Sequence, residues 1–464
     1  MSLLALVVAG VPSAAADENQ DLNLIPSEIQ AEPAPRAAAP SAPSPRHLHA
    51  KAFVEDVFTL ASPARAVPVA YPLPLATWQN RTSVDLYAEW SPRKPVRFTL
   101  SNRLNLIEQD GVDFLSRHTV RNDLREAYVS WELTPSTYLE AGRINLRNGA
   151  ALGFNPTDFF KARTLVGQPS LDPSAIRQNR LGTLMARAQK IWSNGSVGVA
   201  FAPKLFEPSR IVDDSRVGVD PSFDATNAAN RALGTVSLDL GNWSPQWLGY
   251  YEHDRSKIGF NLARPFGDAV VAYVEWAGGM EANLIAQSSA YARTTNEIIA
   301  SPQPFLPTDT SAAFRNDLAA GASWTIASTL TFNVEYHFHQ GGFNRQDWQN
   351  WFDINGTDLN PALTAARHWY IRGYAADQQD PPSRHQIFVR ASWPSAIVRE
   401  LELSGFAFVD LYYGSTLAQL IANYYLSNRW TLAAYGAMNA GSARSERGSL
   451  PQFGSVVLQV IAYL

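Results

Sequence analysis

Apolar and polar side chains change places at every residue over long parts of this chain. Val96, Phe98, Leu100 and Leu104 take one face, while Arg97, Thr99, Ser101, Arg103 and Asn105 take the other. Ala127, Val129, Trp131 and Leu133 oppose Glu126, Tyr128, Ser130 and Glu132 in the same way. Leu330, Phe332, Val334, Tyr336 and Phe338 oppose Thr331, Asn333, Glu335, His337 and His339. The last segment sets Val456, Leu458, Val460, Ala462 and Leu464 against Ser455, Gln459 and Tyr463. A period of two places each set on one side of a β-sheet.

A soluble sandwich produces the same alternation, and three features favour a membrane barrel instead. The segments run about ten residues, enough to cross a bilayer at a tilt. Aromatic residues recur at segment ends (Trp90, Trp131, Trp192, Trp243, Trp276, Trp324, Trp393, Trp430), as an interfacial girdle requires. Connections alternate between short ones, such as Thr134–Ser136 and Ser193–Gly195, and long ones, such as Asn145–Gln178, Pro203–Asn230, Gly279–Ala313 and Gln340–Pro382. Seventeen segments lie between about Thr82 and Leu464, and the first of these needs an outgoing partner. His47 to Phe58 supplies it. The expected fold is therefore all-β, a transmembrane antiparallel β-barrel of about eighteen strands over residues 47–464. Sixteen is the alternative, because Tyr250–Leu262 divides poorly.

Two segments precede the barrel. Leu3 to Ala9 are apolar, Pro12 breaks the run, and Ala14-Ala15-Ala16 fits a small-residue cleavage site, so residues 1–16 read as an export signal without the usual leading Lys or Arg. Residues 17–46, with Pro33, Pro35, Pro40, Pro43 and Pro45 among Ala and Ser, read as a linker.

The export signal, the alternating segments and the terminal Val456–Leu464 strand resemble Gram-negative outer-membrane porins and export channels. That family pattern usually ends in Phe or Trp, whereas here the last pair is Tyr463-Leu464. The resemblance implies a bacterial outer-membrane location, surrounding lipids and lipopolysaccharide as partners, and a channel for solutes. Acidic-polysaccharide exporters such as the alginate-export channel are similar in size.

Charge adds a second layer. The chain has no Cys, which excludes disulfides and Cys-based metal sites. Its net charge of −4 does not favour nucleic acid. Yet residues 93–190 hold 15 basic and 9 acidic side chains, so this part carries +6 and the remainder −10. Arg97, Arg103, Arg125, Arg143 and Arg187 are the candidates for a positive stripe along the lumen, since guanidinium groups bind carboxylate or phosphate in bidentate fashion and basic rings favour anions in pores. Pairing with Glu126, Glu132 and Glu140 across the wall is the competing expectation, and contact with lipopolysaccharide phosphates a third. Gly142 is a point where a bulge would redirect Arg143.

The long connection Asn145–Gln178 carries turn formers and aromatics through Gly153-Phe154-Asn155-Pro156 and Phe159-Phe160. It is able to fold inwards, with Arg147, Asn155, Asp158 and Arg163 as constriction candidates; a surface loop is the alternative. Glu335, His337 and His339 share a face, and solvated lumen histidines are expected there rather than a metal site. Trp348, Trp351, Phe352, Trp369 and Tyr370 suit either a ligand platform or packing among loops. Gly-x-Ser-x-Gly, His-Glu-x-x-His and phosphate-loop motifs are all missing. The reading is therefore a non-enzymatic channel without cofactor or metal, for small polar or anionic solutes or an acidic polysaccharide. A plugged barrel with a binding or structural role is the alternative, and a lipid-modifying enzyme a distant third.

Overall fold

The alternating segments become strands because each has one face for lipid and one for the interior. The computed structural model describes residues 47–111, 119–211, 217–253, 255–326, 329–354 and 360–464. Residues 1–46, expected to be an export signal and a linker, lie outside the described residues. Among the described residues eighteen antiparallel strands form the wall. They begin with β1 (His47–Pro63), β2 (Trp78–Arg93), β3 (Val96–Gln109), β4 (Val120–Thr134), β5 (Thr137–Ile144) and β6 (Thr183–Trp192). They continue with β7 (Gly195–Ala202), β8 (Arg231–Leu238), β9 (Ser244–Glu252), β10 (Arg255–Phe266), β11 (Val270–Glu281) and β12 (Ala313–Ile326). They end with β13 (Leu330–His339), β14 (His385–Trp393), β15 (Leu401–Asp410), β16 (Thr416–Ser427), β17 (Trp430–Ala440) and β18 (Gln452–Tyr463). Each strand pairs with its chain neighbour, and β1 pairs with both β2 and β18, placing Phe53 opposite Tyr463. The sheet closes, so no edge is left for lipid to solvate. A two-residue strand, Val217–Gly218, adds in parallel to the start of β4.

The expected eighteen strands are found. The segment that divided poorly is two strands, β9 and β10, paired with one another, and His253 after β9 sits at φ 47. Most of the polar run Glu252–Lys257 belongs to the strands themselves, so it does not stand out in the sequence as a loop. Faces are also as expected, and inverted relative to a soluble protein. Val456 and Leu458 of β18 are 56% and 57% exposed, whereas Val457 and Gln459 are each 5% exposed. The outside is apolar because it meets hydrocarbon, where a charge near the midplane costs about 2–4 kcal/mol.

Trp90, Trp131, Trp192, Trp324, Trp393 and Trp430 stand exposed close to the short-turn end of the barrel, with Trp243 in a short turn itself. They form the girdle of that rim. Trp276 departs from this ring: it is mid-strand and donates to Asn316. The wall is lowest at β5, β7 and β8, with 8 residues each against 17 in β1. There Gly234 pairs with Gly249, and an apolar trough of about 1010 Å³ is left in the outer surface.

Long connections gather at the opposite end. Besides two short helical turns at Pro173–Gln178 and Phe223–Thr226, three longer helices arise in them among the described residues: α1 (Leu284–Thr294), α2 (Arg345–Phe352) and α3 (Pro361–Gln378). Asn283, Asn344 and Asn360 cap their N-termini by accepting from Ala286, Asp347 and Leu363 amides, and Pro361 opens α3 where its missing N–H costs nothing. Together they build an apolar dome over the barrel. Leu284, Ile285, Phe343, Trp348, Trp351 and Trp369 are buried in it, joined by Val69 and Ile211 from two other connections. The aromatic residues of the 340–384 connection thus pack on one another: Trp351 meets Trp369 edge-on at 5.2 Å.

Candidate functional site: the constricted lumen

Residues 145–182 leave the wall after β5, cross the lumen and return to β6. The crossing is possible because its backbone is held by carboxylates on the far side. Gly149 sits at φ +90, and a Cβ there would lie 2.3 Å from the Glu275 carboxylate, so glycine allows the close approach. Beyond it, the Ala151 amide donates to Glu275, and the Leu152 and Gly153 amides donate to Glu335 at 2.6 and 2.9 Å. Thr157 donates to Asn261 at 2.8 Å and to Glu275 at 3.2 Å. Phe159 stacks on Tyr250 at 4.6 Å, and Phe160 joins an apolar cluster on the inner face of β5 to β9. Further along, Arg121 reaches the Leu165 carbonyl, the Leu171 amide donates to Gln419 of β16, and Asp172 pairs with Arg390 of β14 at 3.0 Å. The connection folds inwards rather than outwards.

The four constriction candidates have distinct places in it. Asp158 is 1% exposed and takes both ends of the Arg180 guanidinium, at 2.9 and 3.0 Å. Arg180 also donates to Asn145 and to the Leu146 carbonyl, so Asp158 ties the middle of the crossing to both of its ends. Asn155 makes the turn, donating to the Ala151 carbonyl and accepting from the Asp158 amide. Arg163, at φ 59, pairs with Asp377 of α3 at 3.1 Å. Arg147 stands beside Glu126 but has no carboxylate within 4 Å and no hydrogen bond among the described residues. Burial lowers its pKa from the ordinary arginine value, and Glu126 opposes that shift.

The five lumen arginines fall at two levels. Arg97, Ser130, Glu140 and Arg187 are consecutive register partners across β3 to β6, forming one row. Arg97 pairs with Glu89 at 2.9 Å and Arg187 with Glu140 at 3.3 Å. Nearer the loops, Asp85, Arg103 and Asp123 form another row. Arg103 binds Asp85 at 2.7 Å and Glu55 at 3.1 Å, and Arg125 binds Asp85 at 2.6 Å. Of the three glutamates expected as partners, Glu140 holds Arg187, while Glu126 accepts from the Asn145 amide. The carboxylates around Arg103 and Arg125 come from β1 and β2 instead. Arg143 stands apart: 1% exposed, it lies over Phe223 at 5.0 Å and donates to the carbonyls of Gly182 and Pro221. Gly142 at φ +134 turns the chain before it without shifting the β4–β5 register.

The histidines correct the expectation of a solvated pair. His337 is 1% exposed and bound to Glu335 at 2.7 Å; His339 is 6% exposed and bound to Asp317 at 2.7 Å. The crossing loop covers this wall, and Phe154 meets both rings edge-on. Glu275 and Glu335 are the residues that sequence reasoning missed as loop anchors. Their inward face was readable, but their partners lie 124 and 183 residues away.

The lumen is therefore divided. Carboxylates of β11 to β13 (Glu275, Glu281, Asp317, Glu335) line one wall, with Lys257 2.9 Å from Glu281. Arginines of β3 to β6 line the other. A cavity of about 200 Å³ remains between the crossing loop, the end of α3 and Phe408 of β15.

No family model matches the chain, and no curated protein does. Among solved structures it is similar to OccK5 (OpdH) of Pseudomonas aeruginosa, with TM-score 0.50 and 9% identity over 90% of this chain and 98% of that one. It is also similar to OccAB1 of Acinetobacter baumannii, with TM-score 0.51 and 8% identity over 90% and 96% of the two chains. At that identity what is shared is the fold, the closed barrel of Gram-negative outer-membrane porins.

Proposed function

We propose that this protein is a narrow outer-membrane channel for small polar and anionic solutes, constricted by residues 145–182 and without enzymatic activity. The observation that carries this reading is the anchoring of that loop across the lumen by Glu275 and Glu335, which narrows the pore and brings the loop's own Arg147, Lys161 and Arg163 into a lumen already lined by arginines of β3 to β6. A fixed, partly desolvated cationic wall favours anions. Outer-membrane lipids and lipopolysaccharide surround the apolar exterior in this reading. The crossing loop leaves little room for a polymer, so passage of small solutes is favoured over export of an acidic polysaccharide. Swelling of liposomes containing the refolded protein tests this: small anions and neutral polar solutes should enter, and an anionic oligosaccharide should not. No swelling with any solute would contradict it.

The plugged barrel remains a second reading because lumen-facing residues on widely separated strands, among them Ser83, Asp85, Glu275, Glu335 and Gln419, are 2% exposed or less. It requires a barrel that is impermeable until residues 147–180 are removed.

A further inference from the structure

Two cations of the constriction, Lys161 and Arg163, are already occupied, and the occupant is another part of this chain. α3 runs down from the dome and ends on the crossing loop. Lys161 lies 2.9 Å from Asp380, just past the end of α3, and Arg163 lies 3.1 Å from Asp377, in its last turn. The backbone reinforces both contacts. The Arg163 amide donates to the Asp377 carbonyl at 2.7 Å, and Gln379 donates to the Lys161 carbonyl and to Thr164 at 2.9 Å. A helix C-terminus also carries partial negative charge. α3 thus presents two carboxylates and the negative end of its dipole to two cations of the crossing loop.

The degree of burial separates these pairs from the structural ones. Asp158 and Arg180 have side chains 1% and 2% exposed and are sealed from exchange. Asp380 and Asp377 are 29% and 16% exposed, with Lys161 and Arg163 at 13% and 10%. Directly beside them lies the cavity of about 200 Å³, lined by Lys161, Arg177, Ala376, Gln379 and Phe408 among others. Arg177 Nε is buried there, 3.4 Å from the Asp158 carboxylate and without a hydrogen bond. The cavity matches the volume of about seven waters.

We propose that the C-terminal end of α3 is a tethered substitute for the anionic solute, an autoinhibitory contact that a small carboxylate- or phosphate-bearing anion displaces from Lys161 and Arg163. The inference rests on the channel reading. Displacement has a thermodynamic basis, because the anion binds the displaced state better: only there are the two cations free of a carboxylate. The body of α3 is packed in the dome through Trp369, Tyr370 and Ile371, so release of its end also loosens the outer cap from the constriction.

The test compares the full chain with Asp377→Asn/Asp380→Asn in planar bilayers, using sodium acetate as the probe. The double variant should conduct about fivefold better, the combined factor for loss of two weak, partly exposed ion pairs. Wild-type conductance should rise more steeply than linearly with acetate, and that of the variant linearly. Equal conductance with equal concentration dependence overturns the substitute and leaves the channel standing. No conductance in either protein overturns both. Asp380→Asn alone, which keeps the Arg163–Asp377 pair, should give an intermediate value if the double variant fails to fold; wild-type behaviour of that single variant likewise overturns the proposal.

Discussion

The Glu335 carboxylate accepts the Gly153 amide at 2.9 Å, although the two residues are 182 positions apart. The same carboxylate takes the Leu152 amide at 2.6 Å, Tyr273 at 2.6 Å and His337 at 2.7 Å. Four donors on one buried anion make a strong, charge-assisted anchor. Glu335→Gln keeps the shape but turns an NH₂ toward groups that are themselves donors. The crossing loop should loosen by about 1–3 kcal/mol, the range for an unmet buried hydrogen-bonding group. Current noise and protease cleavage within residues 145–182 should both increase. Unchanged noise together with unchanged cleavage would show that the anchor lies elsewhere.

Arg103 and Arg97 share a strand face but not an environment. Arg103 is 6% exposed between Asp85 and Glu55, while the Arg97 side chain is 49% exposed at the short-turn mouth. Arg103→Gln leaves buried carboxylates under-compensated and should cost about 3 kcal/mol, the low end for breaking a buried pair, since Arg81 and Arg125 remain. Arg97→Gln should stay within about 0.5 kcal/mol, as for exposed pairs. The temperature at which the folded band disappears in heat-modifiability gels reads both. Equal effects would contradict the assignment.

Much of this architecture was legible because it is local. The outward positions of Phe98, Leu100 and Leu104 and the inward ones of Thr99, Ser101 and Arg103 follow from a period of two that hydrocarbon enforces. The partners were not legible, because they depend on strand register and on where a long loop lands. Nothing near Arg103 in sequence points to Glu55, 48 residues earlier, and nothing near Ala151 points to Glu275. Burial of His337 and His339 likewise follows from the crossing loop and not from their own strand.

Acid should act on the contact between α3 and the loop. Burial raises the Asp377 pKa above its ordinary value, and Arg163 opposes the shift. The folded protein therefore binds this proton before the unfolded chain does. Stability from this group is full below the unfolded value and is lost as pH rises through the folded one. On acidification Asp377 becomes neutral early and its hold on Arg163 weakens without unfolding. Anion conductance should rise on acidification, starting above the ordinary carboxylate range near 4, and Asp377→Asn should flatten the rise. An identical pH profile in that variant would exclude Asp377 as the cause.

The central claim is that the constricted lumen is cationic, with Arg147, like the more deeply buried Arg143, having no carboxylate within 4 Å among the described residues. Reversal potential in a potassium chloride gradient across a planar bilayer measures this directly. The wild type should prefer anions, and Arg147→Gln should shift the potential toward zero. Cation preference in the wild type, or an unchanged potential in the variant, would contradict the account.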